Sequence, residues 1–241
     1  PLRLCVFAGK LLLVITIFTW PVFAVRVERQ LDTWKPEHYL VNITLNDNLT
    51  EITSASTRVT IKVLKPTRVI DFDFGELTVD QVTIASRSLQ FTRESGKLFV
   101  NLPGTVLPDE TFALTIVYHG KPKDGLMLTK DKDDHPAAVG DNWPNRVHHW
   151  IPSFDHPSAK ATVTFVITAP AAEEVVANGK LDHVETNASG QRVWTYSEGV
   201  PIPPYCMIIA VGQFARVESE QRAVTPLSYY VPLSERELAL K

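Results

Sequence analysis

Short runs of apolar and polar residues alternating with period two recur along most of this chain, and they narrow its possible folds more than anything else in it. Tyr39, Val41, Ile43 and Leu45 alternate with polar Asn42 and Thr44. Val59, Ile61 and Val63 repeat the pattern, as do Phe112, Leu114, Ile116 and Tyr118, then Val163, Phe165 and Ile167. Alternation of this kind places one side of an extended chain in a core and the other toward solvent. Residues 69–74 form a shorter apolar piece with Asp71 and Asp73 facing away, and residues 77–84 follow. Leu89 and Phe91, then Glu94-Ser95-Gly96, then Leu98, Val100 and Leu102 read as a hairpin with Gly96 at a left-handed turn position. Residues 192–196 and 207–214 add strands, and residues 171–174 read as a single helical turn. No amphipathic helix of ordinary length appears before the end. The pattern predicts an all-β fold, an antiparallel β-sandwich or saddle, as one domain over residues 25–220.

Two stretches interrupt the strands. Residues 121–134 are charged, with Gly125-Leu126-Met127-Leu128 as a short edge strand before a solvated Lys130-Asp131-Lys132-Asp133-Asp134 loop. Residues 140–162 are denser in unusual side chains than any other part. They hold Trp143, Trp150, His148, His149 and three prolines, Pro144, Pro152 and Pro157. The prolines forbid helix and divide the backbone into short extended pieces joined by turns. On turn chemistry alone this is a stiff crossing between two sheets.

Size and charge bound the rest. With 241 residues, 44% of them hydrophobic, the chain buries a full core without disulfides or metal. A net charge of -3 with scattered Lys and Arg gives no electrostatic footprint for nucleic acid. Residues 1–24 carry only Arg3 and Lys10 as charges and read as a secretory signal cleaved before Val25, or as an uncleaved membrane anchor. Export implies a secreted or periplasmic location, with the membrane a partner only if the leader is uncleaved. Cys206 is then the one mature cysteine, a small buried hydrophobe with no disulfide partner. Ser234-Glu235-Arg236-Glu237 is a capping-box pattern that opens a helix at the very end. That helix is too short to stand alone, so the chain reads as a fragment.

The sequence contains no recognisable catalytic centre. H-E-x-x-H, in which two His one helical turn apart hold zinc beside a Glu, is absent, and so is G-x-S-x-G. His148 and His149 are adjacent, so an extended backbone would point them to opposite faces. His156, beside Asp155, is a third candidate, but the set has no ligand spacing. His38, His119, His135 and His183 fall beside turns or strand ends and are expected to face solvent. No catalytic and no metal-binding residue is assigned to this chain.

The run Trp150-Ile151-Pro152-Ser153-Phe154-Asp155-His156-Pro157-Ser158-Ala159-Lys160-Ala161-Thr162 resembles the Phe-Pro-Cys-Phe-Asp-Glu-Pro-x-x-Lys-Ala-Thr signature of the aminopeptidase N family of zinc peptidases, which includes the leukotriene hydrolase relatives. Val175-Val176-Ala177-Asn178-Gly179-Lys180-Leu181, and Pro201-Ile202-Pro203-Pro204-Tyr205 leading to Ala210-Val211-Gly212-Gln213-Phe214, resemble the next two landmarks. Ser153 and His156 stand where the family usually has Cys and Glu.

The resemblance implies the N-terminal β domain of a zinc-dependent aminopeptidase. Residues 221–241 would be the linker and the start of its catalytic domain. The zinc ligands would lie beyond Lys241, peptide would be the substrate, and this fragment alone would bind no cofactor and be inactive. In that family a loop upstream of the signature grips the peptide's free amino group through two residues two positions apart. Counting back from Pro152 places Asp141 first and Trp143 second. Asp141, aided by Asn142, is thus the expected ammonium contact, and Trp143 the lining of a side-chain pocket. The competing local reading is an Asx turn at Asp141 and Asn142 with Trp143 packed away. A rival for the whole chain is a free-standing extracellular binding module with Trp143 and Trp150 as exposed aromatic platforms.

Overall fold

The computed structural model describes residues 31–218 and 227–240. The leader, its cleavage position at Val25 and the boundary at Glu220 lie outside the described residues.

Among the described residues seventeen strands follow one another with almost no helix. The first ten are β1 (Trp34–Leu45), β2 (Ile52–Val63), β3 (Thr67–Asp73), β4 (Thr78–Ile84), β5 (Arg87–Ser88), β6 (Phe91–Glu94), β7 (Lys97–Val106), β8 (Thr111–Gly120), β9 (Leu126–Lys130) and β10 (Pro136–Gly140). After the proline-rich stretch come β11 (Ala161–Ala169), β12 (Glu174–Ala177), β13 (Lys180–Thr186), β14 (Arg192–Ile202), β15 (Ile209–Gly212), β16 (Phe214–Glu218) and β17 (Ser228–Pro232). One helical turn, α1 (Arg236–Ala239), closes the described chain.

The strands form an eight-stranded sheet in the order β13-β14-β11-β1-β2-β8-β4-β5, a four-stranded sheet β12-β15-β10-β9, a three-stranded sheet β3-β7-β6 and the hairpin β16-β17. Every described pairing is antiparallel except β1 with β11, which runs parallel from His38↔Thr162 to Thr44↔Thr168. A parallel pair cannot be closed by a hairpin and needs a long crossover. Here the crossover carries β2 to β10 and the proline-rich stretch.

The period-two residues form the core. Tyr39, Val41, Ile43 and Leu45 of β1 and Val163, Phe165 and Ile167 of β11 are all buried. The three-stranded sheet packs on the large one through Phe72 against Trp34 at 5.1 Å and Phe74 against Tyr118 at 5.0 Å between ring centroids. The four-stranded sheet is tied to it where the Tyr196 hydroxyl donates to the Val175 carbonyl at 2.7 Å. Thr57, buried on the core side of β2, is satisfied by the Tyr118 hydroxyl at 3.0 Å.

Several local expectations fail. Residues 171–174 do not form a helical turn. The chain makes a tight turn, with Glu173 N–H donating to the Pro170 carbonyl, and Glu174 already opens β12. Pairing with β15 outweighs the weak helical preference of four residues. Strand β13 gave no alternation because it is an edge strand with nearly every side chain exposed. Strand β10 gave none because its Ala137 and Ala138 are small.

At the C-terminal end the capping box does not close. A three-ten turn over Leu233–Glu235 comes first, and neither it nor α1 receives a side-chain cap. Ser234 instead donates its hydroxyl to Asp133. Cys206 is half-buried in a three-ten turn, Pro204–Cys206, rather than sealed in the core. Among the described residues no helix is long and apolar enough to cross a membrane.

Candidate functional site

The loop leaving β10 is anchored where two backbones nearly touch. Asp141 N–H donates to the Gly125 carbonyl at 2.7 Å. Gly125 has φ +75°, and a Cβ there would sit 2.1 Å from the Arg146 carbonyl oxygen. Only glycine allows that approach.

Arg146 then clamps the loop with three bonds. Its Nε donates to the Trp143 carbonyl at 2.7 Å, one terminal nitrogen to Asp124 at 3.1 Å and the other to Asp141 Oδ2 at 2.7 Å. Burial opposes the guanidinium charge, but Asp124 and Asp141 outweigh it and hold the Arg146 pKa above its ordinary value. The Gly125 N–H, followed by Arg146, holds the Asp124 carboxyl below the usual carboxylate range.

Between the clamp points the side chains alternate. Asp141 remains 45% exposed even with Arg146 on one carboxylate oxygen. Trp143 is 64% exposed, joined to Pro144 by a cis peptide, with its ring edge-on to Tyr205 at 5.1 Å. Asn142 points inward and is fully buried. Its Nδ2 donates to the Met207 carbonyl at 2.5 Å, and its Oδ1 accepts the Trp150 indole N–H at 2.8 Å. Asp141 and Trp143 therefore share the solvent face, while the amide of Asn142 is engaged at both ends. Trp150 is fully buried, its ring stacked on Phe165 at 6.4 Å, and is no surface platform.

The following turn corrects the expectation for the two histidines. Val147–His149 is a three-ten turn rather than an extended segment, so the rings of His148 and His149 lie against each other at 4.3 Å instead of on opposite faces. His148 Nδ1 and Asp155 Oδ2 are 2.7 Å apart, and the same oxygen accepts the His148 backbone N–H at 3.2 Å. That bond to Asp155 raises the His148 pKa above its usual value, against the opposing effect of burial. His156 bonds instead to Ser158 at 2.7 Å.

The signature residues are sewn to β3. Asp73 and Ser153 exchange two backbone hydrogen bonds at 2.7 and 3.0 Å, and Asp155 N–H donates to Asp73 Oδ2 at 2.8 Å. Phe154 packs edge-on to Trp34 at 5.6 Å. His148, Asp155 and His156 line a cavity of 370 Å³ with Asp73, Lys97 and Asn145. The geometry of the His148–Asp155 pair is that of a turn brace, one carboxylate oxygen holding both the ring and the backbone N–H of His148.

Sequence reasoning placed Asp141 and Trp143 on the same loop but missed the Arg146–Asp124 clamp and the Tyr205 ring behind Trp143. An Asp124-Gly125 pair signals a turn, but nothing in the sequence indicates that Arg146 reaches it.

A family model described as the Peptidase M1 N-terminal domain matches residues 35–206. Glutamyl aminopeptidase of Rattus norvegicus is 26% identical over 137 residues, which are 54% of this chain and 14% of that protein. The crystal structure of an M1 zinc metallopeptidase from Deinococcus radiodurans superposes with a TM-score of 0.70 at 23% identity, covering 83% of this chain and 47% of that one. A mutant of that enzyme solved bound to a Tyr-ser-ala substrate gives the same TM-score at 22% identity, over 82% of this chain and 47% of that one. The chain thus spans less than half the length of each of these proteins.

Proposed function

The chain belongs to the M1 peptidases through their N-terminal domain, and from there we propose that it serves a zinc-dependent aminopeptidase by carrying the loop that grips the amino terminus of a peptide. In this reading the parent removes amino-terminal residues from peptides, and its zinc ligands belong to a catalytic domain outside these 241 residues. The histidines of the Val147–His149 turn do not fit that metal: their rings pack against each other, and His148 is engaged by Asp155. No step is therefore assigned to zinc within this chain. The apolar residues 1–24 support export to a secreted or periplasmic location, with membrane attachment if they are retained.

The observation that carries the reading is Asp141, held at the protein surface by Arg146 with Trp143 on the same face. Arg146 takes Oδ2 and fixes the direction of the carboxylate, so that a substrate ammonium meets an oriented acceptor rather than a free rotor. Trp143, backed by Tyr205, offers an apolar wall to the first substrate side chain. Asn142 has no share in that contact, because both ends of its amide hold the loop to the core.

A charge-assisted hydrogen bond of this kind contributes about 1.5–3 kcal/mol. Asp141→Asn in the full-length protein is thus expected to lower kcat/KM on aminoacyl-anilides by roughly 10- to 100-fold, mostly through KM. Unchanged kinetics would remove Asp141 from the site. The exposure of Trp143 also suits a free-standing binding module. A full-length protein that loads zinc yet releases no amino acids would turn the assignment toward that module.

A further inference from the structure

We propose that the loop after β10 selects peptides whose first residue is aromatic and turns away those whose first residue is acidic. This rests on the reading of Asp141 as the ammonium contact and names the substrate class that the same site takes.

Two segments far apart in sequence are joined behind Asp141. Asn142 Nδ2 donates to the Met207 carbonyl at 2.5 Å, and Trp143 meets Tyr205 edge-on at 5.1 Å. Tyr205 belongs to the three-ten turn Pro204–Cys206, which is closed by Cys206 N–H on the Pro203 carbonyl and Met207 N–H on the Pro204 carbonyl, both at 2.9 Å. Ile208 follows, 38% exposed, and covers the strand end just before Asp141, since a Cβ on Gly140 would sit 3.1 Å from its Cγ2. Trp143, Tyr205 and Ile208 thus bring apolar surface to the loop that carries Asp141.

Trp143 is held in place without being packed away. Its carbonyl accepts from Arg146 Nε at 2.7 Å and Tyr205 braces its ring, yet the residue stays 64% exposed. A ring already fixed loses little conformational freedom when a ligand meets it. Its open surface suits another aromatic ring, because ring pairs gain energy beyond the area they cover.

Charge supplies the other half of the selection. Arg146 is bonded to this loop, and each of its three guanidinium nitrogens already has an oxygen partner, on Trp143, Asp124 and Asp141. Two carboxylates against one guanidinium leave these three side chains with one negative charge. That charge attracts a substrate ammonium. A carboxylate on the first side chain would instead meet repulsion and an apolar wall. A neutral ring meets neither penalty.

The test assays the full-length, zinc-loaded protein on phenylalanyl, alanyl and glutamyl anilides. kcat/KM on the phenylalanyl substrate is expected to exceed that on the glutamyl one by at least about tenfold. Trp143→Ala should lower the phenylalanyl value about tenfold more than the alanyl value. Tyr205 acts through Trp143 as a positioning residue. Tyr205→Ala should therefore shrink the phenylalanyl-to-alanyl ratio, and Tyr205→Phe, which keeps the ring, should restore it. Glutamyl anilide cleaved as fast as phenylalanyl, or a ratio untouched by both alanine variants, overturns the selection. The ammonium contact then still stands if Asp141→Asn lowers all three substrates alike. No release from any of the three overturns both readings.

Discussion

At the scale of single residues, the loop after β10 divides its work by direction. Asp141 and Trp143 face solvent and are available to a ligand, whereas Asn142 faces the core and holds both in place. Asn142→Ala would strip the Trp150 indole N–H and the Met207 carbonyl of their partner in a buried setting. A loss of about 2–4 kcal/mol in urea unfolding is expected, and a loss below about 1 kcal/mol would show that the loop rearranges around the gap. His148 makes a different contribution, one that depends on pH. Its folded pKa is raised above 6.5, first by the hydrogen bond to Asp155. The stability it supplies is therefore complete below pH 6.5 and fades as pH rises through the raised folded value. His148→Gln should flatten unfolding free energy against pH across that window. An unchanged slope would mean that another group carries it. Counting back from Pro152, on the family resemblance, already put Asp141 and Trp143 at the two expected contact positions. The Arg146 clamp was not legible, because its Asp124 partner lies 22 residues away and is brought near only by the β9–β10 hairpin.

At the scale of elements, two glycines with similar dihedral angles should answer mutation very differently. Gly96, in the turn between β6 and β7, has φ +76°, and a Cβ added there would meet nothing within 4 Å. Gly96→Ala is expected to cost about 1 kcal/mol, the conformational penalty alone. At Gly125 the same change drives a methyl to 2.1 Å from the Arg146 carbonyl, so the clamp must move. Gly125→Ala should cost more than about 2 kcal/mol and, in the full-length protein, raise KM alongside Asp141→Asn. Equal losses in thermal melting of the two variants would show that the clamp yields freely. The β6–β7 hairpin was readable because its turn chemistry is local. The capping box at Ser234 was misread for the opposite reason: a hydroxyl suited to a helix cap found Asp133, far away in sequence, and bonded to it instead.

At the scale of the molecule, one buried cluster joins the eight-, three- and four-stranded sheets through Phe72, Tyr118, Phe165 and Val211. A shared core predicts one cooperative transition rather than sheet-by-sheet melting. Far-ultraviolet circular dichroism and tryptophan fluorescence should report the same urea midpoint, and separate midpoints would mean that the small sheets melt on their own. The join between β1 and β11 is the long-range step in assembling this core. The crossover ends in the proline-rich stretch, residues 140–160, which buries Trp150, Ile151 and Phe154 and leaves Trp143 exposed.

The order of residues alone settles the all-β class and most of the core strands, and it singles out residues 140–162 as the candidate stretch. Alternation reports which side of a strand is buried, and the signature residues between Trp150 and Thr162 announce themselves by kind and order. It also establishes that no H-E-x-x-H lies within these residues. Packing in three dimensions was needed to show that β1 and β11 run parallel, that β10 and β13 are strands, that the rings of His148 and His149 lie side by side, and that Arg146 orients Asp141. Alternation names a buried face but not the neighbour that covers it. Exposed edge strands and small-residue strands carry no alternation to read. Side-chain hydrogen bonds between distant segments exist only once packing has placed those segments side by side.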